Sequence, residues 1–377
     1  MEDLVSTWEG RRVFITGHTG FKGGWLCHWL ASKGAKIRGY SLDPETEPSL
    51  FVAASVGTIL DDVRGDICDL DRLKKSMSEF APDVVFHLAA QPLVRRSYAD
   101  PVGTFATNVL GTANVLEAVR STGSVRVVVC VTTDKCYENK EWVWPYRETD
   151  PLGGHDPYSS SKACAEIVAA AYRNSFFPID RLKEHHVSLA TARAGNVIGG
   201  GDWSEDRLIP DLIRGFQSKR PVQIRRPGAI RPWQHVLEPL HGYILLAEKL
   251  LSGAAQFATA FNFGPRDEDA WPVERIASFV AEIWGENASW VRDSGPSVHE
   301  AHYLRLDASK ANEELGWKPC LAIHEALQWT TSWYRAWVDG ADVRQTTMAQ
   351  IEAYEELARG NFGGKTATRR DHVSGEA

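Results

Sequence analysis

Along the first half of the chain, short uninterrupted apolar runs alternate with stretches whose apolar positions return every three or four residues. Val13-Phe14-Ile15-Thr16 is such a run, followed by glycines and a helical stretch from Trp25 to Lys33 that stops at Gly34. Strands are then predicted over Ile37–Leu42, Val63–Ile67, Asp83–Ala89, Val125–Thr132 and Val187–Arg193, with helices over Asp69–Phe80, Pro101–Arg120 and Tyr158–Asn174. Strands with little polar alternation are covered on both faces, and the intervening helices supply that cover. The pattern predicts an α/β fold built on a doubly wound parallel sheet.

After about Asn196 the texture changes to Gly199-Gly200-Gly201, frequent prolines and clustered arginines. This divides the chain into a sheet-bearing domain over 1–195 and a smaller lobe over 196–362 with excursions back to the sheet. Residues 363–377 read as a polar tail without fixed structure. A length of 377 residues is ample for a core without staples. The net charge of −7 lacks the basic face of a nucleic-acid binder. No stretch approaches the ~18 apolar residues of a membrane span. The six cysteines form no close pair, so neither a disulfide framework nor a zinc site is expected, and the chain reads as cytoplasmic. His185-His186 and His299/His302 lack further ligands at fixed spacing, so no metal is expected.

The loop after the first strand, Thr16-Gly17-His18-Thr19-Gly20-Phe21-Lys22-Gly23, has G-x-x-G-x-x-G spacing and opens a helix. Glycines there let the backbone approach a pyrophosphate, whose charge sits at the helix N-terminus. The same spacing also serves a tight turn without ligand, but its place between strand and helix favours a Rossmann-type dinucleotide site. Asp43, 20 residues past Gly23, is suited to the adenosine ribose, and no arginine follows it directly, which favours NAD over NADP. Asp66 and Ile67, after the third strand, suit the adenine edge, although an ordinary turn explains them nearly as well.

Tyr158 and Lys162 share one helix face, where an ammonium beside a phenol is expected to lower the tyrosine pKa and make it a base towards a sugar hydroxyl. Thr133, at the end of the strand leading into Asp134-Lys135, can hydrogen-bond the same hydroxyl. The glycine loop, His87-Leu88-Ala89-Ala90 and the set Thr133, Tyr158 and Lys162 resemble the extended short-chain dehydrogenase/reductase family. Thr133-Asp134-Lys135-Cys136-Tyr137, Arg193-Ala194-Gly195-Asn196-Val197-Ile198-Gly199-Gly200-Gly201-Asp202-Trp203 and Ile230-Arg231-Pro232-Trp233-Gln234-His235-Val236 look like its nucleotide-sugar 4,6-dehydratase branch, in the form that takes CDP-glucose.

That resemblance implies oxidation at C4 with NAD, loss of water across C5 and C6, and return of the hydride to C6, giving a 4-keto-6-deoxy sugar for surface polysaccharide such as O-antigen. Tyr158 is then the base, Thr133 its orienting partner, Lys162 its tuner and Asp134 the acid for the departing 6-hydroxyl. Lys135 stands where related enzymes carry a glutamate that removes the C5 proton. Direct proton transfer and a role as charge partner both stay open for it. The resemblance also places Gly17, Gly20, Phe21, Lys22, Gly23, Asp43, Asp66, Ile67, Ala89, Asn108, Tyr158 and Lys162 at the cofactor, and Asn196, Arg207, Arg231 and Asn262 at the nucleotide sugar. It implies a homodimer or higher homo-oligomer through the helices near 101–120 and 158–174. A 4-epimerase or reductase on the same fold is the nearest alternative, and Asp134-Lys135 speaks against it. A non-catalytic cofactor sensor is a further one, against which the intact Tyr158 and Lys162 stand. Trp203 and Trp233 fall in site motifs, while Trp25, Trp29 and Trp317 read as packing, and Cys136 as a small buried filler.

Overall fold

The computed structural model describes residues 7–293 and 304–363. Its strands are β1 (Arg12–Thr16), β2 (Lys36–Ser41), β3 (Asp61–Arg64), β4 (Val84–His87), β5 (Val127–Val131), β6 (Ser188–Ala194), β7 (Val197–Ile198), β8 (Val222–Ile224), β9 (Gln234–His235), β10 (Ala260–Phe263) and β11 (Trp290–Arg292). The helices are α1 (Phe21–Ser32), α2 (Leu50–Ala53), α3 (Leu70–Phe80), α4 (Val94–Ala99), α5 (Pro101–Phe105), α6 (Gly111–Ser121), α7 (Pro157–Ser175), α8 (Leu182–His185), α9 (Leu208–Gln217), α10 (Leu237–Leu251), α11 (Val273–Trp284), α12 (Ile323–Val338) and α13 (Val343–Gly363). Seven strands form one parallel sheet in the order β10-β6-β5-β4-β1-β2-β3, and β7 with β9 and β8 with β11 form two small ladders. The seventh strand is supplied from beyond residue 196.

Period-two alternation on the central strands builds the two layers. Val127, Val129 and Val131 of β5 face Trp25 and Leu26 of α1, Leu240 of α10 and Leu327 of α12 in one core. Val128 and Cys130 face the other way, with Leu73 of α3 and Val115 and Val119 of α6. All five β5 residues are therefore buried, which is why the run carries no polar position. Each such side chain contributes about 1.5–3 kcal/mol on leaving water.

Several details depart from the expected pattern. The third strand spans Asp61–Arg64 rather than Val63–Ile67, because it is an edge strand held by β2 backbone pairing with its side chains partly in water. Ile67 leaves the strand and packs into the core against α6, where a Cβ at Gly111 would lie 2.5 Å from Ile67 Cδ1. The helix expected over Pro101–Arg120 is α5 and α6 joined by a π turn at Ala106–Leu110.

Trp25, Trp29 and Trp317 are buried, and their indole N–H groups reach the Gly200 carbonyl (2.9 Å), Glu355 (2.6 Å) and the Glu238 carbonyl (3.1 Å). Trp203 belongs with them rather than with a ligand site. It packs edge-on against Trp333, Tyr334 and Trp337 of α12. Gly200 allows that close approach, since a Cβ there would sit 2.0 Å from the Trp333 ring. Cys136 is buried and pushed up in pKa by that burial, as suits a filler. The tail from 364 and the pair His299/His302 lie outside the described residues.

Candidate active site

The strand order reverses between β1 and β4, and the crevice above such a switch point is where an open α/β sheet receives ligands. The glycine loop lies there. Gly17 has φ +79° and comes so close to the chain after β4 that a Cβ would meet the Ala89 nitrogen at 2.7 Å. A Cβ at Gly23 would meet the Gly17 carbonyl oxygen at 2.1 Å, so the start of α1 must pack bare backbone against the loop. Gly20 is the N-cap and offers no side chain, which leaves the first-turn N–H groups at Phe21, Lys22 and Gly23 for an anion. The loop therefore fits a dinucleotide pyrophosphate.

At the far end of this groove Asp43 is exposed, and Arg64 of β3 lies 3.6 Å from it, stacks 4.5 Å over the Phe51 ring and holds Asp62 at 2.9 Å. No arginine follows Asp43 in the sequence, but the sheet brings one in from the neighbouring strand, already matched by two carboxylates. Asp66 caps the Cys68 N–H at 2.8 Å, as an ordinary turn aspartate does, and its carbonyl accepts from Tyr40 at 3.2 Å. Ile67 offers only backbone, since its side chain is core and its carbonyl accepts from Asn114 at 2.9 Å.

The catalytic candidates converge at the C-terminal end of β5. Thr133 leads into a short 3-10 turn, Asp134–Cys136, that redirects the chain across the crevice. Asp156 caps α7 by accepting from the Ser159 N–H at 2.9 Å, and Pro157 opens the helix, which sets Tyr158 in its first turn. The Tyr158 hydroxyl faces the Thr133 side chain, which opposes the rise of its pKa. Lys162, one turn on, donates to the Val131 carbonyl at 3.1 Å. Lys135 Nζ lies 6.0 Å from the centre of the Tyr158 ring.

The electrostatics correct one expectation. Burial pushes Tyr158 up to about 12, although the Thr133 hydrogen bond and the Arg207 charge oppose it. Lys162 does not bring it towards neutrality: the lysine is itself desolvated and lowered to about 8, and one of its N–H groups goes to Val131. Lys22 is lowered to about 7 by burial and by the charges of Arg207 and Lys162. Asp134 moves the other way. It is 1 % exposed, burial raises its pKa, and Lys135, the Thr133 hydrogen bond, Arg231 and Lys22 only partly offset this. Its Oδ1 accepts from Thr133 at 2.9 Å, while Oδ2 has no partner among the described residues. A buried carboxyl whose proton is favoured by burial and whose second oxygen is unengaged is equipped to donate a proton.

The remaining candidates divide. Arg207 pairs with Asp202 at 2.9 Å and acts on Tyr158 by its charge, and Arg231 acts likewise on Asp134, so both guanidinium groups border the crevice. Asn196 is half-buried just past β6 and ties β9 by accepting from the Gln234 N–H through its carbonyl at 3.0 Å. Asn262 does not reach the crevice. It is fully buried on β10, accepts from Tyr137 at 2.7 Å and donates to the Tyr146 and Asp307 carbonyls at 2.9 and 3.1 Å, which leaves no group for a pyrophosphate. Asn108, in the π turn, joins the loop after β4 to α7: it accepts from the Gln91 N–H at 2.8 Å and donates to Gln91 and Ser161 at 3.1 and 2.8 Å. Its amide thus supports the site backbone instead of touching a ligand. Trp233 is buried in the core, as Trp203 is. His185 is occupied with the Pro178 carbonyl at 2.9 Å.

Asp202, Glu166 and Arg193 were not singled out from the sequence. Two signals for the last two were present: Glu166 falls four residues after Lys162, and Arg193 interrupts an apolar strand.

The model of the NAD dependent epimerase/dehydratase family matches residues 13–264. A CDP-glucose 4,6-dehydratase of Salmonella typhimurium is 53 % identical over 347 residues, covering 92 % of this chain and 97 % of that one. A UDP-glucose 4-epimerase of Mycolicibacterium smegmatis is 27 % identical, over 86 % and 98 % of the two chains. Among solved structures, the dTDP-glucose 4,6-dehydratase DesIV of Streptomyces venezuelae, crystallised with NAD, superimposes with a TM-score of 0.73 at 22 % identity, over 86 % of this chain and 97 % of that one.

Proposed function

The chain belongs to the NAD dependent epimerase/dehydratase family, and from that premise we propose that it is a nucleotide-sugar 4,6-dehydratase converting CDP-glucose to CDP-4-keto-6-deoxyglucose. The observation that carries the reading is Asp134. An epimerase or reductase has no leaving group to protonate, whereas loss of the 6-hydroxyl needs an acid, and here a buried carboxyl with an unengaged oxygen stands next to Thr133 and Tyr158.

The glycine loop and the N-terminus of α1 hold the pyrophosphate of NAD, with Asp43 at its ribose. NAD bound there would supply the acceptor for the C4 hydride and its return to C6. Tyr158, as its phenolate, accepts the proton of the 4-hydroxyl, which Thr133 orients; the nearby charge of Arg207 favours that phenolate. The resulting C4 ketone acidifies the C5 proton. Lys135 is assigned to that proton, which requires its uncharged amine, while Asp134 protonates the departing oxygen. Water leaves, C5 takes a proton back from Lys135 as the hydride returns to C6, and the C4 carbinol ends as a ketone and the C6 hydroxymethyl as a methyl group. Arg207, Arg231 and Asn196 hold the nucleotide diphosphate, where the planar guanidinium fork suits phosphate oxygens.

The product class suits the deoxy sugars of surface polysaccharides such as O-antigen. The cysteines Cys27, Cys68, Cys130, Cys136, Cys164 and Cys320 are all free, in keeping with a cytoplasmic setting. Among the described residues no helix is long and apolar enough to cross a membrane. A homodimer is supported by apolar side chains left in water on neighbouring helices: Val102 of α5 is 77 % exposed and Ile167 of α7 57 %, with Leu110 and Phe176 beside them in sequence.

The test is turnover with CDP-, dTDP-, UDP- and GDP-glucose. The expected result is a 4-keto-6-deoxy sugar, seen by its absorbance in alkali, formed fastest from the cytidine nucleotide. A 4-epimer as the product, or equal rates with all four, would sink the assignment.

A further inference from the structure

One turn beyond Lys162 on α7 lies Glu166, 3 % exposed and unused by the proton transfers above. Both of its oxygens are engaged. Oε1 accepts from the Thr132 hydroxyl at the end of β5, and Oε2 accepts from Thr191 and from Arg193, both on β6, at 2.8 Å each. Lys162 grips the residue before Thr132, donating to the Val131 carbonyl at 3.1 Å. Two side chains of one helix face therefore clamp the last residue of β5 and the residue after it, directly ahead of Thr133 and Asp134. Arg193 extends the clamp by donating to the Tyr137 hydroxyl at 2.8 Å and the Glu148 carbonyl at 3.2 Å, which holds the Asp134–Cys136 turn from behind.

We propose that Glu166 is a positioning residue of this reaction, whose carboxylate ties α7 to the chain at the end of β5 so that Lys162, Thr133 and Asp134 keep their places around Tyr158. The proposal rests on the roles of Tyr158 and Lys162 given above. Burial works against a charged Glu166, yet Arg193, Thr132 and Thr191 hold its pKa below the ordinary value. Burial lowers Lys162, and Glu166 is the strongest influence opposing that loss. The other titratable groups acting on Lys162 are Cys130 of β5, Cys136 of the following turn, His87 of β4 and Lys22 of α1. His87 is itself lowered to about 3 by burial and is neutral, and the thiols are raised, so none of these supplies a negative charge at neutral pH. Glu166 supplies it. Without that charge Lys162 loses its proton at lower pH, and the alkaline limb of C4 oxidation moves with it.

The experiment follows the titration of Lys162 by NMR in protein carrying 13C-labelled lysines, with the signal assigned through Lys162→Met, next to the pH profile of CDP-glucose turnover. Glu166→Gln is expected to move the Lys162 midpoint about one unit or more towards acid. The alkaline limb of kcat should shift in step, with KM little changed. Since that variant leaves a buried arginine unpaired, Glu166→Gln/Arg193→Gln is measured as well; it restores neutrality to the pair and should keep the acid shift. A wild-type midpoint in the double variant, with activity lost evenly at every pH, would make the clamp purely structural and overturn the proposal. Absence of turnover by the unaltered enzyme would instead overturn the dehydratase reading, and the Lys162 titration would still decide the role of Glu166.

Discussion

Replacing Tyr158 with phenylalanine is expected to slow formation of the C4 ketone by about 10²–10⁴-fold, the usual worth of a positioned general base. Every later step depends on that ketone, so product formation falls by the same factor. The change should leave the fold intact. Tyr158 is buried, but its hydroxyl faces Thr133, which keeps Asp134 as a partner at 2.9 Å after the substitution. The cost in stability is therefore about 1 kcal/mol. Single-turnover measurement with CDP-glucose, quenched with borohydride to trap the ketone, reads the effect directly. A variant that makes ketone at the wild-type rate would remove Tyr158 from the reaction.

Asp134→Asn separates the steps. The amide is isosteric and keeps an oxygen for Thr133, but it cannot give a proton to the departing 6-hydroxyl. Elimination should fall by about 10²–10⁴-fold while C4 oxidation continues near its wild-type rate, so the trapped sugar becomes 4-keto-glucose in place of the 6-deoxy product. Stability gives an independent sign. Burial raises the pKa of Asp134, so folding takes up a proton there, and the favourable contribution is complete below the ordinary carboxylate range and is lost as pH rises through the folded value. The asparagine variant lacks that loss and should be the more stable of the two chains on the alkaline side. Thermal unfolding at a series of pH values checks this. Equal loss of both chemical steps would mean that Asp134 only shapes the turn.

The parts of the site legible in the sequence are those written locally. The glycine spacing, the four-residue step from Tyr158 to Lys162 and the turn after β5 each lie within a few residues, so periodicity and strand ends place them. What stayed hidden is long-range. Arg64 reaches Asp43 through pairing of β2 with β3, and Arg193 meets Glu166 and Tyr137 from another strand. Asn262 and Trp203 sit in motifs that resemble site segments, yet the fold turns both inwards, one onto backbone carbonyls and one onto α12. Ile67 was expected to end a strand, and core packing took it instead, because an edge strand has little apolar demand of its own. Ionisation was the least legible feature. A lysine beside a tyrosine predicts a lowered phenol, but enclosure of both groups outweighs their mutual effect and leaves Tyr158 raised.

The central claim is that hydrogen leaves C4 and arrives at C6 of the same sugar, around an elimination served by Asp134. The most direct measurement uses CDP-glucose carrying deuterium at C4, converted in ordinary water, with the product read by NMR and mass spectrometry. The expected product is a 4-keto-6-deoxy sugar whose methyl group contains the deuterium. Deuterium still at C4 of an epimerised sugar, or lost to the solvent, would contradict it.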